Sequence, residues 1–361
     1  MIIRVINSTS PPYQFWLPLY LYNEPMPLRY FITSVEFLLY LFTIYVVFVN
    51  LRTFLKIQMF HRNFIILGVP MFGLWYELII GKFITMAYQL KIISFDFEKS
   101  DTFLTIWTDN EEKMLVLESI DGLELLILAG YLEWHYMFST LFGMVACVSE
   151  RIIASMLINN YETSTHLHIP IILTFLTQSS AIPFSYFIIT YQIGVISGNS
   201  TWILVSVFST VVYFIVKRLN ENWLKEMENP PRKVHFSVSQ RFQVKENLRS
   251  VALGTRVFFT VLGAFVAIGS SVIAQIFWQV PPFLCHFAEN ILFLNPLLIC
   301  FVTMYSLPAW KQEFRSAFPT FDLKRKARKI GVISVEPMES DKKKIDKETD
   351  IYFEQLNKSW I

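Results

Sequence analysis

Glu36, Glu77, Glu133 and Glu289, together with Lys82, interrupt stretches that are otherwise almost wholly apolar, and His135 and His286 stand close to them in sequence. A charged group in hydrocarbon costs several kcal/mol unless it is paired or wetted, so each is a functional candidate. At about 1.5 Å of rise per residue, the five charged residues fall roughly 9 to 16 Å below one surface of a bilayer. That shared depth predicts a water-accessible cavity in the outer half of a helix bundle, with all seven residues as ligand-pocket candidates and Trp134 and Tyr136 placed to line it. His286 and Glu289, three residues apart, share a helix face. The plainer alternative is a set of structural ion pairs, such as Glu77 or Glu133 with Lys82, that hold helices in register.

The elements that must position these groups are membrane helices. Of 361 residues, 53% are hydrophobic and 17% charged, and mean hydropathy is +0.43. That is more apolar surface than a water-soluble core of this size can bury. A span needs about 20 mostly apolar residues. Seven such windows run Arg29–Val49, Phe64–Tyr88, Gly122–Val148, Ile169–Tyr191, Ser200–Val216, Val251–Phe277 and Pro281–Leu307. The fold class is an all-α, seven-helix transmembrane bundle over residues 29–307, preceded by an extracellular segment, 1–28. Pro18 interrupts the one apolar patch of that segment, and no small-residue cleavage site follows, so it is not read as a signal peptide.

Lysine and arginine are distributed unevenly, 5 on the side of the N-terminus and 24 on the other, with Lys82 and Arg256 inside spans. Positive charge stays in the cytosol, which predicts the N-terminus outside and the C-terminus inside. Sequons at Asn7 and Asn199 fall on the outer side and are glycosylation candidates; Asn357 falls inside and is expected to stay bare. The connection from Lys91 to Asp121 carries eight acidic residues against three lysines, an outward anionic patch whose plain explanation is solvation. Cys147, Cys285 and Cys300 are too few for a disulfide framework.

A zinc hydrolase needs three or more ligands at one depth, but only His135 and His286 lie in spans, with His166 and His168 at the opposite surface. GxSxG, Walker A, HExxH and CxxC patterns are absent. No enzyme activity, metal, cofactor or nucleic-acid partner is expected. At the inner end of span three, Glu150-Arg151 place an acid and an arginine at the membrane boundary. They resemble the Asp-Arg-Tyr triplet of rhodopsin-like receptors, with Ile152 in place of tyrosine, and Arg151 is the candidate conformational latch. The alternative is an arginine that snorkels to the phosphate level.

Phe60-His61-Arg62-Asn63, Trp134-His135-Tyr136, Glu150-Arg151 with Ala154-Ser155 and Tyr161-Glu162, and above all Ser239-Gln240-Arg241-Phe242-Gln243 with Glu246-Asn247, occur in order along the chain, and Asn295-Pro296 follows in span seven. In these the sequence resembles the serpentine receptor class epsilon (Sre) family of nematode chemoreceptors over nearly all its length up to the tail. The resemblance implies a seven-helix receptor in the plasma membrane of sensory neurons, at their cilia. Such a receptor binds an external small molecule and signals through a heterotrimeric G protein. Glu150, Arg151, Arg241 and Lys245 are the signalling-face candidates. Two features depart from the general rhodopsin-like pattern. No cysteine stands at the outer end of span three or between Gln192 and Asn199, and Ile299 occupies the position three residues after Pro296 where a tyrosine is usual. A seven-helix ligand-gated channel would place the N-terminus inside, against the charge count, and a transporter would show inverted repeats, which are not visible.

After the last span, Trp310, Phe314 and Phe318 at spacing four predict a short amphipathic helix on the inner surface. The basic run from Lys324 to Lys329 is suited to anionic lipid. Residues 308–330 are thus a juxtamembrane segment, and 331–361 a disordered cytoplasmic tail.

Overall fold

The computed structural model describes residues 1–6, 12–18, 26–57, 60, 62–93, 111, 114–157, 167–228, 238–278 and 282–318. Met1–Phe314 form one compact unit and Arg315–Ile361 a second, described here for 315–318. Among the described residues, six helices are long and apolar enough to cross a membrane: α1 (Met26–Lys56), α2 (Arg62–Gln89), α3 (Glu124–Met156), α4 (His168–Ile189), α5 (Val195–Glu228) and α6 (Val238–Phe277). A bent pair, α7 (Pro282–Phe293) and α8 (Asn295–Ser306), meets at Leu294 with a bend of 45° and, taken as one span, brings the number to seven. Pro296 causes the break. It has no N–H to donate to the carbonyl four residues back and is best accommodated in the first turn of a helix, so α8 starts afresh after Leu294, whose φ of −94° and ψ of 6° lie outside the helical region.

Each hydropathy window lies, to within two residues at its ends, inside one of these helices or the α7–α8 pair, and several of the helices run further. The stretch from Lys217 to Arg249, which reads as a connection, is largely helical: α5 continues to Glu228 and α6 begins at Val238. Hydropathy reports only the part of a helix that meets hydrocarbon, whereas backbone hydrogen bonding continues into the polar zone. α3 is the central helix, with about two thirds of its apolar window buried against 22–39% in the others. It packs on α2, α4, α5 and α6.

Short strands cap one end of the bundle, an addition to the all-helical expectation. β1 (Ile2–Val5) pairs antiparallel with β2 (Tyr13–Trp16) and parallel with β3 (Leu115–Leu117), in the order β2-β1-β3. Trp16 and Leu17 are fully buried. The indole N–H of Trp134 on α3 donates to the Trp16 carbonyl at 2.7 Å, and the two indole rings meet edge to face. Ile2, Ile3 and Val5 point into the protein, so this segment seals the end of the bundle and is part of its core.

At the opposite end, α9 (Pro308–Ser316) follows α8. Its apolar face is Trp310 and Phe314, both buried within the protein. Trp310 donates to the Ile57 carbonyl at 3.1 Å and packs on Phe54 and Phe60, and Phe314 packs on Phe301 and Tyr305. Phe318 lies past the end of the helix. The expected helix is therefore present, with its apolar side against α1 and α8. Asn7, His61, Tyr161, Glu162, His166, the Lys324–Lys329 run and Asn357 lie outside the described residues, as do the side chains of Ser239, Phe242 and Cys285.

Candidate functional site

Lys82 faces inward from α2, 1% exposed, and forms an ion pair with Glu289 of α7, 2% exposed. The ammonium lies over the ring of Phe293 at 4.8 Å and that of Tyr40 at 5.9 Å. Gln89, two turns after Lys82 and so on the same face, donates its amide to both Glu289 oxygens at 3.2 and 3.3 Å. Thr85, between them, donates to Glu133 of α3 at 3.2 Å. Gly81 permits this assembly. A Cβ there would lie 2.9 Å from Cγ of Glu133 and 3.1 Å from the Ala129 carbonyl, so α2 and α3 approach closely only where the side chain is missing.

Glu36 of α1 completes the group. It accepts from the amide of Asn290, and Nδ1 of His286 lies 3.7 Å away. Three buried carboxylates, Glu36, Glu133 and Glu289, thus converge with Lys82 and His286 from four helices. The lysine pairs with Glu289 and not with Glu77. The second oxygens of Glu36 and Glu133 and the hydroxyl of Tyr40 are buried polar atoms with no hydrogen-bond partner among the described residues.

Glu77 and His135 form a separate pair. Nδ1 of His135 meets Oε1 of Glu77 at 2.8 Å, Nε2 lies 3.4 Å from the Ser139 hydroxyl, and Tyr131 stacks on the imidazole. Both are partly exposed, 23% for Glu77 and 12% for His135. Depth is shared with the central cluster, but azimuth is not. His135 is two residues from Glu133, about 200° around the helix, and Glu77 is five from Lys82, about 140° away. Tyr136 also turns elsewhere, its hydroxyl bonding Asn295 at the start of α8.

The other end of α3 holds a second buried polar site. Arg151 chelates Glu150 through Nε and Nη2, and its Nη1 donates to Asn247 of α6 at 3.1 Å. Asn247 in turn donates to Asn220 of α5 at 3.4 Å, and Asn220 to Ser155 at 2.9 Å. Gln243 donates to the Ala154 carbonyl at 3.2 Å, and Phe64 lies under the guanidinium at 5.3 Å. Arg151 is 1% exposed, so its charge ends among protein groups and not at a bilayer surface. Arg241 joins the starts and ends of neighbouring helices by donating to the Met227 carbonyl at 2.7 Å, while Lys245 is exposed on α6.

Asn220 carried no motif in the sequence, and Thr85, Gln89 and Asn290 were also not among the candidates. The available signal was their polarity at helical spacing from a charged residue: Thr85 and Gln89 stand three and seven after Lys82, and Asn290 four after His286. Asn199 lies in the first turns of α5, 4% exposed, with its amide donating to the Val195 carbonyl at 2.8 Å. A glycan on it would require that side chain to leave its place. Among the described residues, no group of three His, Cys, Asp or Glu is arranged to hold a metal ion.

Comparison with known proteins agrees with this architecture. A family model described as the Sre G protein-coupled chemoreceptor matches residues 1–361. Serpentine receptor class epsilon-27 of Caenorhabditis elegans is 49% identical over 364 residues, covering 100% of both chains. Serpentine receptor class epsilon-29 of the same organism is 44% identical over 366 residues, again covering 100% of both. Serpentine receptor class epsilon-33 is 45% identical over 359 residues, covering 99% of this chain and 100% of the relative. A receptor lineage and six to seven apolar helices make this a multi-pass membrane protein of a receptor family, not of an enzyme family. Matched from end to end by the family model, the chain belongs to the Sre family of G protein-coupled chemoreceptors.

Proposed function

We propose that this receptor binds an external small molecule at the sheet-capped end, and that binding there biases a G-protein-facing rearrangement at the Arg151 end. The observation that carries the reading is that both buried polar sites are built on the central helix α3, Glu133 in one and Glu150-Arg151 in the other, 18 residues or five turns apart. A ligand that competes for Lys82, Glu289, Glu36 or Glu133, or that engages the partly exposed Glu77–His135 pair, acts on the same rigid element that holds Arg151. Its leverage is its differential affinity for the two arrangements. The preponderance of Lys and Arg on the α9 side supports an N-terminus outside and that side in the cytosol. Sensory cilia are the site of action, and no catalytic step is involved.

The test is expression in a sensory cell, with volatile and water-soluble compounds screened for a calcium response. For an active compound, Glu77→Ala, His135→Ala, Glu133→Ala and Glu289→Ala are then compared at matched surface levels. The expected result is a shifted dose response in at least one variant. An unchanged response from all four overturns the site.

A further inference from the structure

Between these two polar sites lies a cavity of about 120 Å³ that neither of them uses. Along α3 it extends from Thr140 to Cys147, below the Tyr136–Asn295 bond and about 6 Å, four residues, short of Arg151. Its wall comes from α1, α2, α3, α5, α6 and α8 and is dominated by the rings of Phe72, Trp75 and Phe258 and the thioethers of Met71 and Met144. Among the described residues, no charged one lines it. The hydroxyl of Tyr213, one of its few polar groups, is taken up by the Ser250 carbonyl at 3.2 Å, and the Cys147 thiol faces the sulfur of Met71 at 4.0 Å.

A buried water needs two to four polar partners. This wall is mostly apolar; its polar groups include the hydroxyls of Thr140, Thr303 and Tyr213 and the Cys147 thiol, and the last two are already directed at protein atoms. An apolar cavity of about 150 Å³ is known to stay dry and to admit benzene. Rings and thioether sulfurs add favourable contacts with an aromatic occupant. We propose that this cavity is a binding site for one small, uncharged, apolar molecule of about the size of a substituted benzene, and that its occupancy holds α6 in the arrangement described here. The mechanical link is on its wall. Tyr213 of α5 is seated against Gly254 of α6, where a Cβ would come within 2.1 Å of the hydroxyl oxygen. Phe64, which lies under the Arg151 guanidinium, lines the same space. An occupant therefore packs at once against the α6 segment that follows Asn247 and against the platform of Arg151. This site is separate from the charged cluster and takes the opposite chemistry.

Toluene is the probe, added to the purified full-length receptor in lipid nanodiscs, and the readout is the unfolding temperature. Binding to the folded state should give a saturable rise of about 3–5 °C at a hundredfold excess over the dissociation constant. Val257→Phe and, as a second filler, Val261→Phe place a ring in the cavity and should remove that rise, while Val211→Phe, on the exposed surface of α5, should keep it. Anthracene, too long for the space, should give none. A rise that is linear in toluene without saturation, measured on the unmodified receptor alone, reports partition into lipid and overturns the proposal. So does a saturable rise that survives in either filler. Because no signalling is read, the outcome is independent of the external ligand site.

Discussion

Replacing Lys82 with methionine keeps the reach of the side chain but removes the ammonium from between Phe293 and Tyr40. Glu289 then retains its two hydrogen bonds from Gln89 and loses its counter-charge, while Glu36 and Glu133 remain as buried carboxyl groups beside it. Removing one partner of a buried ion pair costs about 3–5 kcal/mol, whereas replacing both by apolar side chains of similar volume is often near neutral. Lys82→Met should therefore lose about that amount. Glu289→Leu should lose somewhat less, because Glu36 and Glu133 still face the ammonium. In a protein of this size, such a loss lowers the unfolding temperature by roughly 4–7 °C. The double variant should recover most of it, giving a coupling of about 2 kcal/mol or more in a double-mutant cycle. The assay is thermal unfolding of the three purified variants beside the unmodified receptor, with surface labelling in cells as a second measure. Additive losses, with the double variant the least stable of the three, would refute the pairing and the claim that this cluster holds α2 to α7.

The glycines of the bundle predict opposite outcomes for one substitution. In Gly254→Ala the new methyl meets the Tyr213 ring, at 2.1 Å from its oxygen and 2.5 Å from Cζ, and should cost about 1–3 kcal/mol, with Tyr213→Leu restoring stability. In Gly143→Ala it meets the flexible end of Met71 at 2.4 Å and should be tolerated in the same unfolding assay. At the other site, Arg151→Lys cannot reproduce the two-pronged contact to Glu150 together with the bond to Asn247. It should lower signalling at unchanged surface level, and Glu150→Ala should raise basal signalling; unaltered signalling from both would remove the latch role. For orientation, glycosidase treatment should shift the mobility of the receptor in a way that Asn7→Gln abolishes and Asn357→Gln does not, and dependence on Asn357 would reverse the topology.

Much of this molecule was legible before its helices were packed. Seven apolar windows, the place of each buried charge along its helix, the shared face of His286 and Glu289, and the position of Glu150-Arg151 all follow from composition and a fixed rise per residue. The sequence motif that includes Gln243 and Asn247 pointed to the segment that the structure joins to α3. What only the tertiary structure decided was partnership. Lys82 had several carboxylates at its level and pairs with Glu289, 207 residues away. Glu77 and His135, at that same level, face each other apart from the cluster. The three-stranded sheet, the inward-facing side of α9 and the apolar cavity also came only with packing. The reason is geometric. Rise along a helix is set locally by backbone hydrogen bonds, so depth can be counted along the chain. The face that turns inward, and the residue that meets it, depend on neighbouring helices whose positions no local pattern encodes.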